Sequence, residues 1–429
     1  MPKSEAPGPR CGERDLRIVW IKGNKLLPVH SGGDIRSYHI ARELARQHEL
    51  IFLSYYDGKP DAEYEKALRE HFPGAISVST GKWESSSLAR GVDYLAHLPS
   101  PHPYAVGRFS CPEVRTRLKA WFEERRFDVA ICDFLDAAIN FPRHLGVPSI
   151  LFQHNVESEI WRRHAGTESH PLKRQVYAVE FRKMLRCERN AARKFHHIIA
   201  VSEHDRSLME TWVEGAKITV VPTGVDLREY RPDFDRVPKP GLLVFVGAMD
   251  WEPNVDAMEY FCQAIWPQVR AQAPQASLRI VGRNPGERVQ KLASDQVEIT
   301  GRVPSVVDHL REAAVVVVPL RIGGGTRLKI YEAMAAGKAV VSTSVGAEGL
   351  EIHPGRDIVL ADNPRLFSDA VVTLLHDRNL RQKYEKAAAE SAAQYDWSII
   401  GEKFGRTLEL VCDQFQGSQE HAQVTAHAG

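Results

Sequence analysis

The sequence has no long hydrophobic run. Its longest, Ala313 to Leu320, falls far short of the roughly 20 residues a membrane-spanning helix needs. The opening residues, MPKSEAPGPRCGERD, lack an apolar stretch of the secretory kind, so cytoplasmic residence is expected. An excess of either charge is missing too: 56 Lys+Arg stand against 55 Asp+Glu, a net charge of +1. A near-cancelled balance argues against nucleic acid or an anionic membrane as an obligate partner, since both usually go with a large basic surplus, while leaving room for a local basic patch. The six cysteines are scattered (positions 11, 111, 132, 187, 262 and 412) with no CxxC pair, which excludes a disulfide scaffold or a structural zinc site. No cluster of His, Cys, Asp or Glu has metal-ligand spacing, and no GxSxG nucleophile motif occurs. The expectation is therefore of no metal and no cofactor.

What is present is alternation. Short apolar, β-branched runs (RIVWI, ELIFLSYY, GAISV, DVAICD, SILFQ, HIIAVS) are mostly separated by helix-like segments, the first being DIRSYHIARELARQ. Apolar runs of five or six residues predict a parallel sheet buried on both faces, and the alternation predicts an α/β fold. The pattern breaks at Leu227–Gly241, LREYRPDFDRVPKPG, which is rich in proline and charge and reads as a boundary. It then restarts with LLVFVGAM, SLRIVG, VEITG, AAVVVVPL and KAVVSTS. Two doubly wound domains are expected, over residues 15–225 and 226–396. An amphipathic helix over 397–415 follows, with Phe404, Leu408, Val411 and Phe415 on one stripe, and then a polar, disordered tail over 416–429. Two such domains facing each other would leave a central cleft at the carboxyl ends of their sheets, where ligands bind in open α/β folds.

The most informative stretch is Pro319–Gly349, PLRIGGGTRLKIYEAMAAGKAVVSTSVGAEG, which leads from a buried strand through three glycines into a helix. Gly323, Gly324 and Gly325 let a ligand approach the backbone, and the free N–H groups of the following helix start favour an anion. Arg327 and Lys329 are cations in the first turn, which opposes the helix dipole unless an anion offsets them. The pattern reads as a phosphate or pyrophosphate site. It is no Walker loop, because Ala339 follows Gly337-Lys338 where Ser or Thr would be required. Glu332, on an otherwise apolar helix face, is either an acceptor for paired hydroxyls or a salt-bridged structural acid.

Pro319–Gly349 resembles the donor-binding signature of family 4 glycosyltransferases, which have the two-domain GT-B fold. Val220–Pro232, Val246–Phe261, Ala200–Arg206 and Leu151–Ser158 also resemble segments of that family. The resemblance implies two Rossmann-like domains, a carboxyl-terminal helix that crosses back to the first, and transfer of a sugar from a nucleotide-diphosphate donor with retention of configuration. It implies that Glu332 contacts the nucleotide ribose. Arg327 and Lys329, with the N–H groups of Gly325 and Thr326, would neutralise the diphosphate. SGGD (Ser31–Asp34) resembles the family's first glycine loop, so Gly32 and Gly33 would face the phosphates or the transferred sugar. Gly247 opens the turn after the carboxyl-terminal domain's first strand. His154, at the end of SILFQ, matches the family's histidine beside the donor sugar, where it would orient the sugar or stabilise charge.

Two positions depart from the family pattern. A glutamate usual eight positions before Glu332 is Gly324 here, and the turn GAMDWEPN (Gly247–Asn254) lacks the usual Arg and Lys. The expectation is that Arg327 and Lys329 stand in for that missing pair. The acceptor implied is a glycan or lipid-linked molecule, as in surface polysaccharide synthesis. Segment Pro171–Lys194 reads as a long basic helix: a solvated face, a peripheral contact with an anionic membrane surface, or a contact with an acceptor's lipid phosphate. The triplet Asp233-Phe234-Asp235 lies in the boundary segment and reads as chance. Rival readings are a nucleotide-sugar epimerase on the same fold and a non-catalytic nucleotide-sugar-binding protein.

Overall fold

The computed structural model describes residues 15–427, apart from 30, 82–92, 95, 169, 214, 216 and 323–326. The chain divides into two compact units. One runs to Val221 and resumes at Ile400; the other is Pro222–Ile399. Each is built on one parallel sheet.

The first unit's strands are β1 (Arg17–Gly23), β2 (Glu49–Tyr56), β3 (Ile76–Ser79), β4 (Val129–Asp133), β5 (Ser149–Gln153), β6 (His197–Ala200) and β7 (Ile218–Val220). They lie in the order β3-β2-β1-β4-β5-β6-β7. The central position of β1 explains its sequence: after Arg17 every residue is buried, so RIVWIKG cannot alternate apolar with polar. Trp20 anchors one face, stacked between Phe52 (6.2 Å) and Phe404 (5.7 Å). Phe404 belongs to the last helix, whose residues from Ile400 onward pack within this unit. The opposite face packs under the helices Pro112–Glu123 and Pro171–Lys194 through Val19, Ile21, Phe122, Phe127 and Met184.

The second unit's strands are β8 (Leu242–Val246), β9 (Ser277–Val281), β10 (Val297–Gly301), β11 (Val315–Val318), β12 (Val340–Ser342) and β13 (Val359–Leu360). Their order is β10-β9-β8-β11-β12-β13, again with every pairing parallel. In both sheets the strand order reverses beside the first strand of its unit, which places the ligand-binding crevice of such a fold at the carboxyl ends of β1/β4 and of β8/β11. The boundary segment Leu227–Gly241 holds no regular helix or strand, and the helices Pro171–Lys194 and Pro364–His376 have the bounds their sequence patterns indicate.

The tail differs from expectation. The last helix runs Trp397–His427, through Gly417 and most of the stretch read as disordered. Its residues from Gln416 to Glu420 are exposed, so propensity rather than packing carries it; Gln, Glu and Ala are adequate helix formers and one Gly is a tolerable cost. None of the five described cysteines is in a disulfide. Among the described residues no helix is long and apolar enough to cross a membrane.

Candidate active site

The carboxyl edge of the second sheet carries the cations singled out in the sequence. Arg327 is the N-cap of the helix Leu328–Ala335 and is buried. Lys329, in the first turn, folds back toward the turn after β8. Its Nζ donates to Asn254 Oδ1 at 2.7 Å and lies 4.4 Å above the Phe245 ring. Asn254 is held in turn by its own Nδ2, which donates to the Ala248 carbonyl at 2.9 Å. Among the described residues no carboxylate stands within ion-pair distance of Lys329. Burial and the neighbouring Arg327 push its ammonium down to about 7.

Gly247 makes this arrangement possible. A Cβ there would stand 2.7 Å from Lys329 Nζ and 2.6 Å from Asn254 Nδ2. The turn GAMDWEPN has no cation of its own, yet the chain brings one to it from 75 positions away. Gly282, at the end of β9, is tied to the same turn: a Cβ built on it would collide with the Gly247 carbonyl oxygen, a backbone atom that cannot rotate aside. Gly282→Ala is therefore expected to cost about 3 kcal/mol or more. Calorimetry would then show a lower melting temperature for the second unit; an unchanged one would mean the two backbones do not approach as closely as described.

Glu332 lies one turn further along the helix. Burial raises its carboxyl to about 7, against the pull of a hydrogen bond with Tyr230 and the charge of Lys329. Tyr230, itself buried, donates that bond, and its own ionisation is driven upward by burial and the nearby Glu332. The structure thus brings Gly247, Arg327, Lys329 and Glu332 together at one sheet edge. Gly323, Gly324, Gly325 and Thr326 lie outside the described residues. Sequence reasoning missed Asn254, Phe245 and Tyr230, although Asn254 falls in a stretch already marked by its family likeness.

In the first unit, Ser31 caps the helix Gly32–Leu44: its Oγ accepts from the Asp34 N–H at 3.1 Å. Gly32 is exposed at this helix start. Gly33 has no room for a side chain, because the Phe134 ring fills the space a Cβ would take. Phe134 in turn lies flat on the His154 imidazole, centroids 3.7 Å apart and planes 4° from parallel.

His154 is only 2% exposed, and both its nitrogens are engaged inside the protein. Arg36 can only donate, so His154 Nδ1 accepts from it at 2.8 Å. The proton is therefore on Nε2, which donates to Asp133 Oδ1 at 2.6 Å. Burial pushes the ring down to about 3, overcoming the attraction of Asp133, so His154 is neutral at physiological pH. Asp133 is the hub. Its Oδ2 accepts from Trp20 Nε1 at 3.0 Å, and Lys22 Nζ lies 3.6 Å away while also pairing with Asp34 at 3.3 Å. Lys22 and His154 hold the Asp133 carboxyl below its ordinary range despite complete burial. Sequence reasoning singled out His154 but not Asp133, Lys22 or Arg36. The available signal was a charged residue at the buried carboxyl ends of RIVWIKG and VAICD.

The described residues hold no group of three or more His, Cys, Asp or Glu able to share a metal ion. What the second unit's edge offers instead is a neutral-to-cationic helix start, with a carboxyl one turn away that burial raises to about 7. That combination suits an anion attached to a hydroxylated ring.

The Glycosyltransferase Family 4 model matches residues 30–229, and the Glycosyl transferases group 1 model matches residues 240–377. The chain belongs to this glycosyltransferase family. Phosphatidyl-myo-inositol mannosyltransferase of Mycolicibacterium smegmatis is 30% identical over 207 residues, 46% of this chain and 53% of that protein. D-inositol 3-phosphate glycosyltransferase of Paenarthrobacter aurescens is 29% identical over 203 residues, 42% and 48% of the two chains. The chain thus spans about half the length of the curated relatives it matches. Among solved structures, Anabaena HepE in complex with UDP and glucose superposes with a TM-score of 0.64 at 14% identity, over 92% of this chain and 99% of that one. Sucrose-phosphate synthase from Thermosynechococcus elongatus gives 0.67 at 17% identity, over 92% and 98%. At such identities the likeness is one of fold: the chain has the GT-B fold.

Proposed function

We propose that this glycosyltransferase moves a sugar from a nucleoside-diphosphate donor to an acceptor hydroxyl, with retention of configuration and without a metal ion. The observation that carries this reading is Lys329: a cation pressed into the turn after β8 with a neutral partner, Asn254, and no carboxylate within ion-pair distance among the described residues. A desolvated cation without a counter-ion is destabilised until an anion arrives. Arg327, at the same helix start, adds a second charge, and in this reading Glu332 one turn on, which already accepts from Tyr230, would also accept hydroxyls of a ribose. Anabaena HepE, whose solved complexes hold UDP and UDP-glucose, supports the choice of a nucleoside diphosphate.

In this reading the bond from the anomeric carbon to the donor phosphate breaks as the acceptor oxygen attacks from the same face. The acceptor's proton passes to the departing phosphate oxygen. Charge gathering on the diphosphate is met by Lys329 and Arg327, whose side chains are fixed before the donor arrives, so little reorganisation is required at the moment of reaction. His154 is neutral with both nitrogens committed, so it acts by orienting its neighbours and not as a base.

Two relatives are named for acting on phosphatidyl-myo-inositol and D-inositol 3-phosphate, which supports an acceptor that bears phosphate, lipid-linked or part of a surface glycan. The basic helix Pro171–Lys194 supports peripheral contact with an anionic bilayer. The deciding experiment incubates the protein with a panel of nucleotide sugars and candidate acceptors and reads products by NMR. An α-linked product from an α-configured donor is expected. Conversion of donor without acceptor would mean an epimerase, and donor binding with no product from any acceptor would mean a binding protein.

Lys329 also sets a pH dependence. Its ammonium sits near 7 in the free protein, and a bound diphosphate raises that value. Binding therefore takes up a proton above about pH 7, and affinity falls as pH rises, by at most tenfold per pH unit. Titration calorimetry of UDP at pH 8 in buffers of different ionisation enthalpy should show this uptake, and Lys329→Met should remove it. Uptake unchanged in the variant would assign the proton to another group.

A further inference from the structure

A second feature lies in the first unit, outside the residues discussed above. A groove of about 1270 Å³ opens between the helices Pro112–Glu123 and Pro171–Lys194 and the loop that follows residues 135–140. Its floor is apolar, with Phe122, Phe141 and Val106 buried beneath it. Its rim carries Arg115, Lys119, Arg125 and Arg143, all exposed. Among the described residues, Arg115, Arg125 and Arg143 have no carboxylate within ion-pair distance. The one acid lining the groove, Glu123, is 3.8 Å from Lys119. Lys194 lies at the inner end, its Nζ donating to the carbonyls of Phe141 (2.9 Å) and Ala138 (3.2 Å), and burial lowers its pKa.

The groove does not stand alone. Leu172, Val176 and Val179 are exposed, Leu172 by 67%. With Cys187, Asn190 and Lys194 they form one stripe of the helix Pro171–Lys194, because the steps between them are multiples of three or four residues. The stripe is apolar and open at the helix's amino-terminal half, and its carboxyl-terminal half forms a wall of the cationic groove. Lys173, Arg182 and Arg186 flank it and are exposed. Most of the first unit's exposed large hydrophobic residues lie on or beside this helix, since Leu98 covers Lys183, whose Nζ donates to its carbonyl at 2.9 Å. Arg115 donates to the Ser110 hydroxyl at 2.8 Å, and an apolar strip leading into arginines that lack a carboxylate partner complements a ligand that is oily on one side and anionic at its head.

We propose that this stripe and groove form a docking site for an anionic phospholipid bilayer, with a lipid phosphate held between Arg115 and Arg143 and the apolar residues of the helix set into the headgroup–acyl boundary. The proposal deepens the bilayer contact suggested above by naming its site, and it is independent of the donor chemistry in the second unit. The groove far exceeds the volume of an inorganic phosphate, and a fully water-soluble ligand gives no reason for three exposed aliphatic side chains along one stripe.

The test is co-sedimentation of the full chain with vesicles of phosphatidylglycerol and phosphatidylcholine, against vesicles of phosphatidylcholine alone, in the absence of nucleotide. Binding to the anionic vesicles only, weakened by salt, is expected. Arg115→Glu/Arg143→Glu and Leu172→Asp/Val176→Asp should each lower the bound fraction by about tenfold or more, each juxtamembrane cation near an anionic surface being worth about 1 kcal/mol. Both pairs are exposed, and an unchanged UDP-induced thermal shift would report that the variants are folded. Equal binding to both vesicle types overturns the proposal, as does undiminished binding by both variants. Binding of inorganic phosphate or inositol phosphate in the groove with no vesicle binding overturns it in favour of a soluble phosphate. Loss of vesicle binding would leave the donor reading intact, because UDP binding is measured separately.

Discussion

Lys329→Met lowers kcat/KM for sugar transfer by at least about 100-fold and weakens UDP binding, while leaving the melting temperature of the free protein unchanged or higher. The kinetic part follows from position. Loss of one preorganised charge facing a developing anion commonly costs about 10² to 10³ in rate, and Lys329 is the cation delivered to a turn that has none of its own. The stability part follows from its surroundings. Asn254 is a neutral partner and Arg327 a like charge, so the folded protein holds this ammonium at about 7, well below its ordinary value. A group whose charged form is disfavoured by folding opposes folding at pH values below its unfolded pKa, and removing it relieves that opposition. Methionine keeps the length and the contact with Phe245. Enzyme kinetics, UDP titration and calorimetry on the same variant are the measurements. A large fall in melting temperature would recast Lys329 as structural, and wild-type kinetics would remove the proposed chemistry. Lys329→Arg is no substitute, because the space beside Gly247 and Asn254 is sized for an ammonium.

Asp133→Ala destabilises the first unit by about 3–5 kcal/mol, the usual cost of removing one member of a buried charge network. Trp20 Nε1, His154 Nε2 and, electrostatically, Lys22 Nζ lose their acceptor together, and Ser37 loses a hydrogen-bond partner as well. Lys22 keeps Asp34, so the loss falls short of a wholly unpaired charge. Asp133→Asn rescues little. Its amide turns an N–H toward either Trp20 or His154, and His154 cannot change tautomer to accept it because Arg36 occupies Nδ1. Two compact units need not melt together, so the measurement is the first unit's own calorimetric transition, expected to fall by about 10 °C at roughly 2–4 °C per kcal/mol. The sign with pH is fixed as well. Asp133 is held below the ordinary carboxylate value, so its contribution is full above that value and is lost as pH falls through the lower one. Wild type and variant should therefore converge in strongly acidic solution, and a gap that stays constant with pH would mean the carboxylate is not the source.

Most of the architecture was legible in the sequence because burial on both faces of a parallel sheet leaves a plain mark. VVVV at β11 and HIIA at β6 are buried throughout, so no alternation obscures them. Helix bounds were equally clear where proline or a cap marks them, as at Pro171 and Pro364. The tail was misread because its polarity says nothing about propensity once a helix is under way. At the candidate site, local signals served where the group belongs to one segment: Arg327, Lys329 and Glu332 stand within six residues on one helix start. They failed where the group is assembled across the chain. Asn254 is an ordinary helix residue until Lys329 meets it, and Asp133 is an ordinary strand end until Trp20, Lys22 and His154 converge on it. No periodicity encodes such meetings; they arise from strand order, which brings β1 beside β4 and β8 beside β11.

The strand order also leaves four open rims, at β3, β7, β10 and β13. These rims are only four, three, five and two residues long. A visiting strand would gain few backbone hydrogen bonds along any of them, and brevity of this kind is one way natural sheets avoid edge-to-edge growth. A chain built wholly on unclosed parallel sheets is in this way guarded against polymerising through its margins.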